Sequence, residues 1–352
     1  MIRTRIKAID ALKEAQKIAF APFVFQTVVC LRDLGILQLI FENDRGGLTL
    51  TEISEHLQLS DYGIGVLLEI AESSNMVRKN EAGAFQLTKT GYFLTYDPTV
   101  QVNINFTQDV CYQGLFHLKE AIKNEKPEGL KVFGNWQTIY QGLSELDAEV
   151  QKSWFAFDHH YSDGIFEEAL PIVFQNKPSH IFDIGGNTGK FALKCLNFDT
   201  MVRLTIFDLP GQLEKALQNI RKNNFDHRVS GKEIDWLQPT PSLPTGADCI
   251  WMSQFLDCFS EEEIQSILTT CVAAMSSDTT LIINETFTDR QEHAHAKFAL
   301  EATSLYFTAL ANGNSKMYDS KTFYRLIDRV GLTILEDRKL GKYHTLLTCK
   351  KK

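Results

Sequence analysis

The sequence predicts an α/β protein: a doubly wound, mostly parallel sheet that ends in an antiparallel hairpin, preceded by a mostly helical module of winged-helix pattern. Three observations predict it. Residues 178–352 alternate short apolar runs with longer helical patterns, as βαβ units around a parallel sheet do. LTLTEISEHLQLSDYGIGVLLEIAESSNMV, starting at Leu48, carries apolar residues at helical spacing on both sides of a polar break at Leu59–Asp61, and RKNEAGAFQLTKTG follows as a short hairpin around Ala82 and Gly83. HIFDIGGNTGKFALKCL sets a glycine-rich turn between an apolar strand and a helix.

In chain order, residues 1–100 read as the winged-helix domain, 101–177 as a helical linker and 178–352 as the sheet domain. The apolar helical stretches Ala11–Phe20 and Ala21–Ile40 have no obvious partner inside the small module, so pairing with a second copy of the chain is the expected outlet. Helix, turn, helix and wing usually suggest DNA binding, and charge decides against it. Between Gly46 and Thr95 the basic residues are Arg78, Lys79 and Lys89, opposed by Glu52, Glu55, Asp61, Glu69, Glu72 and Glu81. DYGIGVLLEIAESS, where a recognition helix would lie, has no lysine or arginine, whereas a helix among phosphates normally needs several.

The linker region is rich in aromatics, among them Trp136, Tyr140, Trp154, Phe155, Phe157 and Tyr161, most of them expected to be core. The strands of the sheet domain are HIFDIG, RLTIFD, RVSGKEI, DCIWMSQ and TLIINET, followed by a hairpin from LTILEDR to YHTLLTC.

Composition narrows the function classes. The chain has 36 basic and 44 acidic residues, a net charge of −8, so no general attraction to nucleic acid or anionic lipid is available. Seven scattered cysteines with no CxxC pair suit neither a disulfide framework nor a zinc site, and free thiols in a reducing cytoplasm are expected. The apolar run Ala21–Leu31 is too short to span a bilayer, and the opening segment does not read as a secretory signal. His293 and His295 have HxH spacing but no supporting ligands, and no metal is expected.

The chemistry is concentrated at strand ends. Asp183 closes the first strand, Gly185, Gly186 and Gly189 form the turn, and a helix starts near Lys190, offering unpaired N–H groups to an anionic group of a ligand. Ile184 stands where GxGxxG requires its first glycine, so this is not the dinucleotide fingerprint, and no GK[ST] follows, so it is not a P-loop. Asp208, about 25 residues on, ends the adjacent strand, where a carboxylate can accept both hydroxyls of a ribose. The third strand leads into Asp235 and Trp236, an acceptor and an aromatic plate suited to adenine.

DIGGNTG, FDLPG, the Asp235–Trp236 pair, DCIWMSQFLDCFSEEE and LIINET together resemble the class I S-adenosylmethionine-dependent O-methyltransferases of the caffeate and hydroxyindole type. The likeness in order and spacing covers about residues 180–345, and the winged-helix module is similar to the dimerisation domain those enzymes carry. The resemblance implies a Rossmann-like methyltransferase sheet, S-adenosylmethionine as cofactor with S-adenosylhomocysteine as product, and a homodimer formed through the N-terminal domain. It further implies a small aromatic or polyketide-like acceptor, with no nucleic acid or membrane partner. It puts Asp183 and the three glycines beside the methionine half of the cofactor, Asp208 with Leu209 at the ribose, Asp235 and Trp236 at the adenine, and Ser253 near the sulfonium. Tyr161, Phe255, Phe307, Asn312 and Met317 fall at acceptor-lining positions.

The chain departs from the family at the base. Members typically read HDWSDE after the fourth strand, with histidine as general base, whereas FLDCFSEEE puts Asp257 there. Glu285, which in the family orients that histidine, is kept, and Met317 replaces a second supporting glutamate. Methyl transfer is an in-line displacement that alignment alone promotes, and a positioned base adds about 10²- to 10⁴-fold. An aspartate near its ordinary pKa of about 3.9 matches a phenol of about 10 poorly unless burial or a neighbouring charge raises it. Asp257 therefore reads as a tuned base, a substrate anchor or an N-terminal residue of the helix that begins at SEEE. His160, or its neighbour His159, is a second candidate for proton removal. Two rival functions stand beside the enzyme: a cofactor-binding protein that has lost catalysis, and a winged-helix regulator.

Overall fold

The computed structural model describes residues 7–352, which divide into two compact units, residues up to Gln108 and residues from Asp109 onward. In the first unit α1 (Ala8–Ala19) and α2 (Ala21–Asp33) are followed by α3 (Ile36–Glu42), α4 (Leu50–Leu57) and α5 (Asp61–Ser73). The strands β1 (Val77–Lys79) and β2 (Phe85–Leu87) form the wing, and α6 (Lys89–Tyr96) and α7 (Pro98–Asn105) complete the unit. The apolar stretch Ala21–Ile40 is two helices rather than one, because Gly35 takes φ +75° and starts α3 in a new direction. Thr49 and Glu52 form a capping box on α4 and Ser60 caps α5, which fixes the turn between them. One face each of α2, α3, α4 and α5 closes a core around Leu31, Ile36, Leu37, Ile40, Ile53, Ile64 and Leu68. α1 buries none of its residues.

The second unit opens with α8 (Leu118–Asn124), α9 (Ile139–Gly142), α10 (Ala148–Ser162) and α11 (Phe166–Val173). Then come β3 (His180–Ile184), α12 (Lys190–Phe198), β4 (Arg203–Asp208), α13 (Pro210–Lys222), β5 (Val229–Glu233), β6 (Cys249–Ser253) and α14 (Glu261–Ala274). β7 (Thr280–Glu285), α15 (Ala294–Tyr306), α16 (Ser320–Arg329), β8 (Leu332–Leu340) and β9 (His344–Lys351) complete it. The seven-stranded sheet has the order β5-β4-β3-β6-β7-β9-β8, with the last two strands antiparallel to the rest or to each other. The chain starts in the middle at β3, winds outward to β5, then returns to β6 on the other side, so the topological switch lies between β3 and β6. In open α/β sheets the crevice at the carboxyl ends of such strands is where ligands bind. β3, β6 and β7 are buried along nearly their whole length because helices cover both faces, which explains why they read as continuous apolar runs. One face packs Phe182, Phe207, Met252 and Leu268, the other Ile181, Phe191, Trp251 and Ile282.

Among the described residues no single helix is long and apolar enough to cross a membrane, and the seven cysteines are all free thiols.

Candidate functional site

The turn after β3 is held in one conformation by contacts that exclude side chains. Gly185 adopts φ +70°, and a Cβ there would stand 2.4 Å from the Phe255 ring. At Gly186 a Cβ would come within 2.6 Å of Ile206 and 3.0 Å of Asp183 Oδ2. Gly189 is the residue from which α12 springs. Between them Asn187 holds φ +49°, a region that asparagine tolerates better than most side chains. Its backbone N–H donates to Asp208 Oδ2 at 2.8 Å, and its side-chain Nδ2 donates to Asp158 Oδ2 on α10, also at 2.8 Å.

The strand-end acids converge on this turn. Asp183 is 2% exposed, and its Oδ2 finds no partner among the described residues. Burial first, and then the charge of Asp208, push its carboxyl up to about 7. Asp208 is half-buried and accepts N–H bonds from Asn187 and, at 2.7 Å, from Leu209. Burial raises it to about 6, with those two bonds working against the rise and the charge of Asp158 adding to it. A carboxylate offers about four lone-pair directions, so two remain for hydroxyl donors. Asp235, just beyond β5, accepts from Leu237 N–H and Gln238 Nε2, both at 3.0 Å, which closes a tight turn. Trp236 is buried, its indole N–H finds no partner among the described residues, and its ring meets Phe255 edge-on at 6.1 Å. Phe255 thus touches the glycine turn on one side and Trp236 on the other.

Glu285, at the end of β7, organises the turn after β6. It is 1% exposed, and its Oε1 accepts the backbone N–H groups of Phe255 (3.1 Å) and Leu256 (2.9 Å), while Oε2 has no hydrogen-bond partner among the described residues. Ser253 accepts from Asn284 Nδ2 at 2.9 Å, one strand over. On the turn so held, Asp257 is 5% exposed and accepts from the Cys258 thiol at 3.5 Å. Burial pushes Asp257 up to about 7, opposed by the Cys258 contact and assisted by Asp158, and burial with the charge of Asp257 holds Glu285 well above the usual carboxylate range. The charge that adds to the rise of Asp257 thus comes from α10. The helix-terminus reading of Asp257 fails: α14 is capped by Ser260, in a capping box with Glu263, and Asp257 lies in a separate 3₁₀ turn before it.

α10 supplies the neighbouring wall. Trp154 Nε1 donates to the Tyr306 hydroxyl at 2.8 Å, tying α10 to α15. Tyr161 packs on Phe157 at 5.0 Å and Tyr343 at 6.1 Å, and His160 lies edge-on to Tyr161 at 5.3 Å. The ring that reaches the glycine turn is that of His159, with Nε2 3.4 Å from Thr188 Oγ1 and Nδ1 3.2 Å from Asp163 Oδ1. Phe307 is buried at the start of a π-helical turn, a feature often found at functional sites, and Met317 is buried with its N–H on Ser304 Oγ at 3.1 Å. The Asn312 amide is engaged within the chain: Oδ1 accepts from the N–H groups of Asn314 and Ser315, and Nδ2 donates to Ser315 Oγ and to the Cys258 carbonyl. It braces the Asp257 turn from below.

Asp158, Asn187 and Tyr140, whose hydroxyl lies beside the Cys258 thiol, join this constellation without having been assigned a role from sequence. Only Asn187 left a signal, as a residue tolerant of left-handed backbone inside a glycine turn. Among the described residues no group of three His, Cys, Asp or Glu side chains is arranged to hold a metal ion.

A Dimerisation2-like domain model matches residues 12–84, and an O-methyltransferase domain model matches residues 115–333, well over half of the chain. The chain belongs to the O-methyltransferase family. Membership makes it an enzyme that draws its methyl group from S-adenosylmethionine. Among curated relatives it is 22% identical to an L-tyrosine C(3)-methyltransferase of Streptomyces lavendulae, over 89% of this chain and 85% of that one. It is 29% identical to aclacinomycin 10-hydroxylase RdmB of Streptomyces purpurascens, over 50% of this chain and 44% of that one. Among solved structures, that of the mitomycin 7-O-methyltransferase MmcR superposes with a TM-score of 0.73 at 16% identity, covering 98% of each chain. The methyltransferase thus shares its fold with that enzyme and its family with proteins acting on aromatic and natural-product substrates.

Proposed function

We propose that this methyltransferase transfers the methyl group of S-adenosylmethionine to the hydroxyl of a small aromatic or polyketide-like acceptor. The observation that carries the reading is the pair of strand-end carboxylates Asp183 and Asp208 beside a turn with no room for a Cβ at Gly185 or Gly186. Both are raised, one oxygen is unpartnered, and among the described residues neither forms an ion pair with a lysine or arginine. Such a site favours a cationic ligand, and S-adenosylmethionine carries an ammonium and a sulfonium. When bound, the cofactor supplies an electrophilic methyl group on positively charged sulfur.

The residues fit it in parts. Asp183, Gly185, Gly186 and Gly189 would hold its methionine half, Asp208 with Leu209 the ribose, Asp235 and Trp236 the adenine, and Ser253 would lie near the sulfur. In this reading Asp257 takes the acceptor's hydroxyl proton, Glu285 fixes the turn that carries it, and His160 is the alternative proton acceptor. Tyr161, Phe255, Phe307 and Met317 shape the acceptor side, with Asn312 as a brace.

Asp208→Ala is expected to weaken S-adenosylmethionine binding at least about ten-fold in calorimetry, since hydrogen bonds to a charged group contribute about 1.5–3 kcal/mol. Unchanged affinity would sink the ribose assignment. A panel of phenols with methyl-labelled cofactor tests the reaction itself: labelled product supports transfer, whereas cofactor binding without labelling of any phenol supports a protein that has lost methyl transfer.

The first unit is the dimerisation element of this reading. α1 leaves Ile9 68% and Ile18 75% exposed, and Phe20 and Phe23 continue the apolar surface, more than a lone helix keeps in water. The protein is expected to run as a dimer in light scattering, and Ile18→Glu with Phe23→Glu to shift it toward monomer. A monomeric wild type overturns this.

A further inference from the structure

Resting on the methyl-transfer reading with Asp257 as base, we propose that Cys258 is the positioning residue of that base: its thiol holds Asp257 Oδ1 and leaves Oδ2 to take the proton of the acceptor hydroxyl. Among the described residues the Cys258 thiol is the one side chain that donates to Asp257, at 3.5 Å. The base and its neighbour depart from the family together, since FLDCFSEEE sets Asp257 and Cys258 where HDW sets a histidine and an aspartate. Beside an aspartate base, an acid at the next position would add a like charge. A thiol in that place is neutral and brings a donor instead.

The backbone that carries the thiol is anchored on both sides. Glu285 Oε1 accepts the N–H groups of Phe255 and Leu256 ahead of the pair. Behind it, Asn312 Nδ2 donates to the Cys258 carbonyl at 2.5 Å, and the Tyr318 hydroxyl donates to the Phe259 carbonyl at 2.7 Å. Ser260 then caps α14, so the chain enters the helix directly after the turn. What the turn leaves free is the rotamers of Asp257 and Cys258, and the thiol contact locks one against the other.

The contact also favours the ionised carboxylate, because a donor stabilises the charged form. Burial, and then the charge of Asp257, hold the Cys258 thiol well above its ordinary range, so it keeps its proton and remains a donor while Asp257 titrates. The other groups facing the pair are Glu285 from β7, Asp158 from α10, Tyr140 from α9 and Tyr318 ahead of α16. Glu285 keeps its proton through burial and the charge of Asp257, and the charge of Asp158 opposes ionisation of Asp257. Both tyrosine hydroxyls are raised, mainly by burial, and stay neutral. Cys258 is thus the side chain that works toward an ionised base, and its removal raises the pH at which Asp257 gives up its proton.

NMR of isotope-labelled aspartate carboxyls, on protein saturated with S-adenosylhomocysteine, reads this titration, with the Asp257 signal assigned by its loss in Asp257→Asn. The midpoint in Cys258→Ala is expected about one pH unit above wild type, and in Cys258→Ser, which keeps a donor, near the wild-type value. Near neutrality that shift leaves about five-fold less ionised base. Turnover of the best-labelled phenol of the panel is therefore expected to fall at least about five-fold in Cys258→Ala and to recover in Cys258→Ser, with the KM for S-adenosylmethionine unchanged. The wild-type protein supplies a test that does not need the alanine variant to fold: the Cys258 S–H stretching band, assigned by its absence in Cys258→Ser, is expected to move as Asp257 titrates and to stay fixed in Asp257→Asn. An unmoved midpoint or an unchanged rate in folded Cys258→Ala, or an S–H band indifferent to Asp257, overturns the proposal. A slowed Asp257→Asn beside a wild-type Cys258→Ala keeps the base and overturns the proposal alone. Labelling of no phenol overturns the methyl-transfer reading, and an unslowed Asp257→Asn overturns the base; the proposal falls with either.

Discussion

Turnover of the Asp257→Asn variant is expected to fall about 10²- to 10⁴-fold at saturating cofactor, while its affinity for S-adenosylmethionine stays within about two-fold of wild type. The size follows from position and protonation together. Burial brings the Asp257 carboxyl up to about 7, close to the pH at which it must work, so it is substantially ionised near neutrality yet basic enough to take a proton from a hydroxyl held against it. Asparagine keeps the shape and the carbonyl oxygen and loses only the basic group. The Glu285 bonds to the Phe255 and Leu256 N–H groups do not involve the Asp257 side chain, so the turn is retained. With Asp257 as the proposed base, the wild-type rate is expected to rise with pH through about 7 and level off, a limb that belongs to the coupled Asp257 and Glu285 pair rather than to one residue. The variant lacks it. A variant with wild-type rate and pH profile assigns proton removal to His160, or to alignment alone.

The sheet was legible in the sequence because each strand is a short apolar run bounded by turn residues, and burial on both faces leaves little else that HIFDI, CIWMS and TLIINE can be. The glycine turn was legible for the same local reason, since strand, glycines and helix are contiguous. What sequence could not supply was anything set by packing between distant segments. Asp158 and Asn187 are 29 positions apart, and nothing in the hydrophobic pattern of α10 announces that one turn of it meets the loop. His159 and His160 differ by one position, which on a helix is about 100° of rotation, so only the packed structure shows which ring faces Thr188. The readiness of Asp257 to hold a proton is likewise tertiary, because burial and the charge on α10 create it. Asn312 fell at an acceptor position by alignment, yet its amide is spent on its own loop and on Cys258.

Cofactor-free protein is expected to lose stability relative to Asp183→Asn as pH rises from about 4 to 8, by up to about 4 kcal/mol. Asp183 has an ordinary value of 3.8 and is pushed up to about 7 in the fold. Between those values the folded state holds a proton that the unfolded chain has released, so the native contribution is intact below 3.8 and declines until about 7. Asp257 acts in the same direction. His344 acts in the opposite one: buried at 2% exposure with neither ring nitrogen partnered among the described residues, it is pushed down to about 4, so the unfolded chain binds its proton first and stability falls as pH drops from 6.5 toward 4. Denaturant midpoints across this range should therefore converge for wild type and Asp183→Asn at low pH and separate above it, whereas His344→Phe should remove an acid-side loss. Parallel wild-type and Asp183→Asn curves would show that the carboxyl is not buried as described. Adding S-adenosylmethionine should release protons near pH 6.5, detectable in calorimetry as a dependence on buffer ionisation heat, because the cation stabilises the charged form of the same acids. A carboxylate that costs the empty protein stability and regains it only with a cation present is what a site selected for cofactor affinity rather than for folding should show.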